Sequence, residues 1–257
     1  MKKFLFAFIL FVSFTIVSCS TLQSETPQKP SERMAQIYYE MAKNIIVNKD
    51  YSKLSEAFTY LDKAKNIDAT NPNIYFVYAL AYRLKKDDNT AKQYLEKTIS
   101  LDKNYYDAYN ELGVIYFDEG NYSKAKELFD KLIDTLTYPN IDVAYYNRAI
   151  LYLTLKENDK AINDLESAIM YSDYKNPLYW QKLIEVYFYE KDYQKALIAT
   201  QNMESHLGPS DYIHYTKALC YYHLGLFSQA KDSLSKINNQ DNYFTIEKDL
   251  LLKKMQR

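Results

Sequence analysis

Side chains suited to acid–base, nucleophilic or metal chemistry are few in this chain of 257 residues. It carries three histidines, His206, His214 and His223, and two cysteines, Cys19 and Cys220. No Gly-x-x-x-x-Gly-Lys loop, His-Glu-x-x-His helix or Cys-x-x-Cys pair occurs, so the spacings that hold phosphates, zinc or a redox couple are missing. The acidic pair Asp87-Asp88 falls at a turn between helices, where solvated charge is ordinary. These residues point to no catalytic centre, no metal site and no cofactor, and the chain reads as not an enzyme. Cys220 reads as a small buried hydrophobe, and no intramolecular disulfide is expected.

The other cysteine has a different setting. Lys2 and Lys3 precede an apolar stretch from Phe4 to Val17, 14 residues long. That length suits the core of an export signal, whereas a membrane-spanning helix needs about 20 apolar residues. The stretch closes on Ile16-Val17-Ser18-Cys19, which resembles the bacterial lipobox. The resemblance implies that residues 1–18 are a signal cut before Cys19, and that the Cys19 thiol carries a diacylglyceryl group. Two or more acyl chains hold a protein at a bilayer stably. Ser20 in place of Asp then implies the outer membrane, with the protein on its periplasmic face. Residues 19–34, with two prolines and no aromatic ring, read as a lipidated flexible tether.

Composition places the remainder. Four glycines and six prolines are too few for the turns of an all-β protein, and 28 tyrosines suit rings packed between helices. The formal charge is -1, more negative still without Lys2 and Lys3, and lacks the basic footprint of nucleic-acid binding.

The positioning elements repeat. Tyr82, Tyr116, Tyr152, Tyr187 and Tyr221 are separated by 34, 36, 35 and 34 residues. Seven residues before them stand Tyr75, Tyr109, Tyr145, Trp180 and His214, and three before them Ala79, Gly113, Ala149, Ile184 and Ala218. Nine residues after them come Ala91, Ala125, Ala161, Ala196 and Ala230, and four further on Leu95, Phe129, Leu165, Thr200 and Leu234, of which Thr200 is the weak member. Two rings seven apart share a helix face, and the small residue between them lets a second helix approach. Gly120 and Gly225 fall at equivalent turns and fit helix C-caps. This pattern is similar to the tetratricopeptide repeat. It implies an all-α superhelical solenoid over residues 35–257. Repeats at about 72–105, 106–139, 142–175, 177–210 and 211–244 follow a divergent first one. In that one, Tyr38, Met41, Ala42 and Ile45 form the first-helix face, and Ala57, Leu61 and Ala64 the second after about three inserted residues. A C-terminal capping helix would turn Phe244, Leu250 and Leu251 inward.

First helices of such solenoids line a concave surface. By register its residues include Phe76, Leu80, Val114, Phe117, Tyr146, Ile150, Phe188, Tyr189, Tyr215 and Tyr222. These apolar side chains, with Glu185 among them, do not suit a clamp for a C-terminal carboxylate. They suit an amphipathic helix or a hydrophobic strand of a protein partner. The rings are expected to stand clear of the contacts that join repeats.

One stretch goes further. Asp107-Ala108-Tyr109-Asn110-Glu111-Leu112-Gly113-Val114-Ile115-Tyr116, then Leu136-Thr137-Tyr138-Pro139 and Ala144-Tyr145-Tyr146-Asn147, resembles the type IV pilus biogenesis and stability lipoproteins, the pilotins of the pilus secretin. The resemblance implies that the chain binds secretin subunits and helps localise or assemble them. The alternative is a general periplasmic adaptor that scaffolds cell-envelope enzymes.

Overall fold

A computed structural model describes residues 30–238 and 242–256. Among the described residues there are thirteen α-helices and no strand. They are α1 (Pro30–Val47), α2 (Leu54–Ile67), α3 (Pro72–Leu84), α4 (Asp88–Leu101), α5 (Tyr106–Asp118), α6 (Tyr122–Ile133) and α7 (Ile141–Thr154), continuing with α8 (Asn158–Tyr171), α9 (Pro177–Tyr189), α10 (Tyr193–Leu207), α11 (Asp211–His223), α12 (Phe227–Ser235) and α13 (Asn242–Lys254). Each odd-numbered helix up to α11 packs on the one that follows it. Six hairpins result, stacked in chain order, with α13 against α11.

Local chemistry sets the helix starts. Asn71 and Asn176 accept the N–H two residues on, each followed by a proline whose missing N–H costs nothing in the first turn. Asp87, Asn121, Asp192 and Ser210 accept the N–H three residues on. The first helix of every pair runs into a left-handed residue: Lys49 (φ 52°), Lys86 (60°), Gly120 (76°), Lys156 (62°), Lys191 (59°) and Gly225 (75°). All six share the device, filled by glycine in two and by lysine in four. Backbone bonds close these turns, as where Asp87 N–H donates to Tyr82 C=O at 3.0 Å.

The alanine columns are fully buried where the two helices of a pair touch, as at Ala79, Ala91, Ala125, Ala149, Ala161 and Ala196. In the third pair a Cβ on Gly113 would lie 2.6 Å from Phe129 Cε1, so only glycine fits the ring opposite. The fifth pair divides the volume the other way. Ile184 fills the small-residue position, and Thr200 sits fully buried with its hydroxyl donating to Ala196 C=O at 2.7 Å. Thr200 is thus a size partner and not a defect.

The divergent first pair is present. Ala57, Leu61 and Ala64 are fully buried, and the three-residue insertion is a turn of 3-10 helix, Tyr51–Lys53, capped by Asp50. Three expectations change. Met41 is 40% exposed, on a side of α1 that no described helix covers. Helix α1 opens at Pro30 with Glu32 in its first turn, so residues 30–34 are helical and exposed, not tether, and burial starts at Ala35. In α13 Leu251 is buried and Phe244 half-buried, but Leu250 faces outward at 47% exposure. Cys19 and residues 1–29 lie outside the described residues.

Candidate protein-binding groove

Polar ties run both within the helix pairs and between neighbouring ones. Arg148 on α7 grips Asp164 of α8 through Nε and Nη2, both at 2.8 Å, and Asp130 of α6 through Nη1 at 2.6 Å. Burial opposes the charge on Arg148, but the two carboxylates outweigh it and hold the guanidinium above its ordinary range. Burial likewise raises the Asp130 carboxyl, yet bonds from Lys126 and Arg148 bring it below the usual carboxylate range. Arg83 spans the second and third pairs, 2.9 Å from both Asp88 and Asp118. Asn147 donates to the buried Asn110 at 2.8 Å, a neutral link between α7 and α5.

The ring column seven residues before the signature tyrosines is tied to backbone. Tyr75, Tyr109 and Trp180 each donate to the carbonyl six residues upstream, at 2.9, 3.2 and 3.1 Å. The loop between pairs is thereby fastened to the helix that follows it.

Most of the side chains expected to line the groove are half-buried: Phe76, Leu80, Val114, Phe117, Tyr146, Ile150, Phe188, Tyr215 and Tyr222. Tyr189 is the exception at 75% exposure. Several rings do not stand clear of the joints between pairs. Phe76 meets Tyr105 at 5.0 Å, Tyr146 meets Tyr179 at 4.9 Å and Tyr215 meets Phe244 at 5.9 Å, each on or just ahead of the next first helix. Phe117 and Tyr222 turn instead toward the second helix of their own pair, near Tyr122 and Phe227. Rings this large reach the neighbouring helix because interaxial spacing is only about 8–10 Å.

Two of the open pockets against α9 include residues of the expected groove. One, of about 320 Å³, is lined by Leu153, Lys182, Glu185 and Tyr189 among others. The other, of about 430 Å³, brings Phe188 and Tyr215 together with Leu219. Glu185 borders both, and its carboxylate lies 2.6 Å from Lys182 Nζ. Phe76, Leu80, Val114 and Ile150 line neither of them. Register missed Ile184, Tyr212 and Phe244 in the larger pocket. Phe244 had a usable signal, since α13 begins where the period would start a seventh first helix.

Two of the three histidines stack on rings. His223 stacks on Tyr193 at 4.3 Å and His206 on Tyr174 at 4.4 Å. Burial, then Lys254, holds His223 below its usual pKa. Among the described residues no group of three or more His, Cys, Asp or Glu converges as a metal site would require. Cys220 is buried, and burial pushes its thiol up to about 12.

Family models of the tetratricopeptide repeat match residues 72–105, 106–135 and 143–173. The chain is a tetratricopeptide-repeat solenoid. It resembles the solved structure of PilF of Pseudomonas aeruginosa with a TM-score of 0.66 at 14% identity, over 88% of this chain and 100% of that one. PilW, described as a widely conserved type IV pilus biogenesis factor, matches with a TM-score of 0.66 at 16% identity, over 86% and 99%. MamA matches with a TM-score of 0.51 at 23% identity, over 70% and 97%. At such identities the likeness speaks for the fold.

By sequence, the chain is 29% identical over 116 residues to the human cilia- and flagella-associated protein 70. It is 32% identical over 91 residues to the Sol locus transcriptional repressor of Clostridium acetobutylicum. It spans only 10% and 28% of the length of these two curated relatives. This repeat fold is typically a non-catalytic scaffold for protein–protein interaction.

Proposed function

We propose that this tetratricopeptide-repeat scaffold is a lipoprotein, acylated at Cys19 and held at the periplasmic face of the outer membrane. On its concave face it binds secretin subunits during type IV pilus biogenesis. The observation that carries the reading is the fit to PilF and PilW across nearly the whole length of each, with all six hairpins of this chain described. The apolar run ending at Cys19 supports the anchor, and the half-buried rings of the first helices support a protein ligand.

Two experiments test it. Labelling with a palmitate analogue should mark the wild type and vanish in Cys19→Ala, and a persistent label would remove the anchor. Pull-down from detergent-solubilised outer membranes should recover secretin with the wild type. The variant Tyr189→Ala with Leu153→Ala should capture far less while remaining folded, because Tyr189 is 75% exposed and Leu153 only half-buried. Central aromatic contacts at interfaces contribute about 2 kcal/mol or more. Undiminished capture by that folded variant would place the binding surface elsewhere. Recovery of cell-wall enzymes in place of secretin would favour the general adaptor.

A further inference from the structure

Both ends of the solenoid present an apolar stripe to solvent. On α1, Met34, Ile37 and Met41 are 44%, 45% and 40% exposed. On α13, Tyr243, Ile246 and Leu250 are 60%, 60% and 47% exposed. Each set follows the spacing i, i+3, i+7, which is one face of a helix.

The repeat register shows what the α1 stripe is built for. Ile37 stands eight residues before Ile45, as Ile74, Ala108, Ala144, Tyr179 and Ile213 stand eight before the signature tyrosines, and all five of these are buried. Met41 shares a column with Tyr78, Arg148 and Lys217. Those three reach back to the second helix of the preceding pair. Tyr78 donates to Asp62 on α2, Arg148 meets Asp130 on α6 at 2.6 Å, and Lys217 meets Glu204 on α10. The stripe is thus the face by which each later pair docks on its predecessor, and among the described residues α1 has no predecessor. Three internal joints place a hydroxyl or a cation where α1 carries Met41, so α1 suits an apolar face with no waiting carboxylate. Ile246 and Leu250 of α13 form such a face.

We propose that the solenoid associates head to tail, the α1 stripe of one copy packing antiparallel on the α13 stripe of a second copy. This contact lies outside the concave face and does not depend on what that face binds. Matched stripes at opposite ends are what self-association requires, whereas a bilayer surface or a single partner helix would use only one of them. Antiparallel order, as between neighbouring helices joined by short loops, brings Met34 to Leu250, Ile37 to Ile246 and Met41 to Tyr243. It also sets Arg33 near the level of Asp249 and Glu32 near that of Lys253, opposite signs in both cases. Parallel order would instead level Glu40 with Asp249 and bring Lys43 near Lys253. Each contact leaves one open end on either copy, so assembly continues beyond the dimer. Two short stripes make a small interface, and small interfaces are weak.

The test co-expresses two full-length copies with different tags and oxidises intact cells. Ile37→Cys in one copy and Ile246→Cys in the other should give a disulfide-linked pair carrying both tags, while wild-type copies give none. Met34→Cys should link to Leu250→Cys and not to Tyr243→Cys, because a disulfide forms only between closely facing positions. Cys220 is buried and does not compete.

Sedimentation of the purified chain in detergent adds a complementation test. Wild type should pass from monomer through dimer to larger species as concentration rises. Ile37→Glu with Met41→Glu, and Ile246→Glu with Leu250→Glu, should each stay monomeric with unmoved melts, since all four positions are exposed. Mixed one to one, the two variants should form dimers and nothing larger, because each keeps one sound end. A wild type that stays monomeric and unlinked would overturn the proposal. So would a variant mixture that stays monomeric, or Ile37→Cys copies that link only to one another, which would mean head-to-head pairing.

Discussion

The third and fifth helix pairs solve one packing problem in opposite ways. In the third, Gly113 on α5 gives its space to Phe129 on α6. In the fifth, Ile184 on α9 takes the space and Thr200 on α10 yields it. The second, fourth and sixth pairs lie between, with alanine facing leucine at Ala79 and Leu95, Ala149 and Leu165, and Ala218 and Leu234. The repeat thus constrains the combined volume of two positions and leaves its division free, as expected where interiors are close-packed.

Emptying either large side chain should do the most damage. Phe129→Ala and Ile184→Ala should each cost about 3–4 kcal/mol, since both residues are almost wholly buried. A melt within a degree of wild type for either would mean that the pair contact is not what holds the hairpin. Adding volume comes next. Gly113→Ala drives a Cβ against the Phe129 ring and should cost about 1–2 kcal/mol net, despite the better helix propensity of alanine. Combining it with Phe129→Leu recreates the alanine–leucine division and should recover most of the loss. Thr200→Leu should likewise cost about 1–3 kcal/mol alone and much less with Ile184→Ala. Strict additivity in both double variants would break the comparison.

Alkaline titration sharpens it at the fifth pair. Burial, then the neighbouring Glu166, pushes the Tyr187 phenol up to about 12 from an ordinary 10.0. The unfolded chain therefore ionises first. The stabilisation is complete below pH 10 and is lost as pH rises toward 12, by about 1–2 kcal/mol. Cys220, which bonds Thr200, adds to the same loss between about pH 9 and about 12. Denaturant melts from pH 8 to 11 should show the fall, and Tyr187→Phe should flatten part of it. The smallest effect belongs to the turns. Lys156→Gly removes left-handed strain at φ 62° and should raise stability by about 0.5 kcal/mol, whereas Gly120→Lys should lower it by a similar amount. A chemical denaturation midpoint that moves the other way would contradict the turn assignment.

The period of the rings and alanines made the hairpins legible, because those columns record contacts inside one pair. Even the divergent first pair could be read, its three extra residues forming one 3-10 turn. The groove was harder to read. Register gives the direction of Phe76, Tyr146 and Tyr215 but not their reach, and each ring extends to a neighbour about 5–6 Å away. Pockets form where such neighbours leave a gap, and a gap depends on two helices whose sequences lie more than thirty residues apart, as with Phe188 and Leu219. The α13 wall was hidden for a related reason. Phe244 reads as the seal of an end until α11 supplies the opposite side. The lysines at left-handed turns gave no warning either, because lysine has no preference for that conformation and the turn is imposed by the packed pair.

The side-chain hydrogen bonds between helix pairs are all short-range along the chain. Among the described residues none joins positions more than 37 apart, the longest being Asn147 to Asn110 and Tyr179 to Asp142. Among the described residues no side-chain hydrogen bond or ion pair clasps the first hairpin to the last, so load applied to the two ends of the solenoid passes through the hairpins in series. A pull on the N-terminus would peel α1 and α2 away while Arg148 still held Asp130 and Asp164 further along. Under tension the molecule should lengthen in steps, one hairpin at a time, and on release refolding can start at any hairpin and spread to its neighbours.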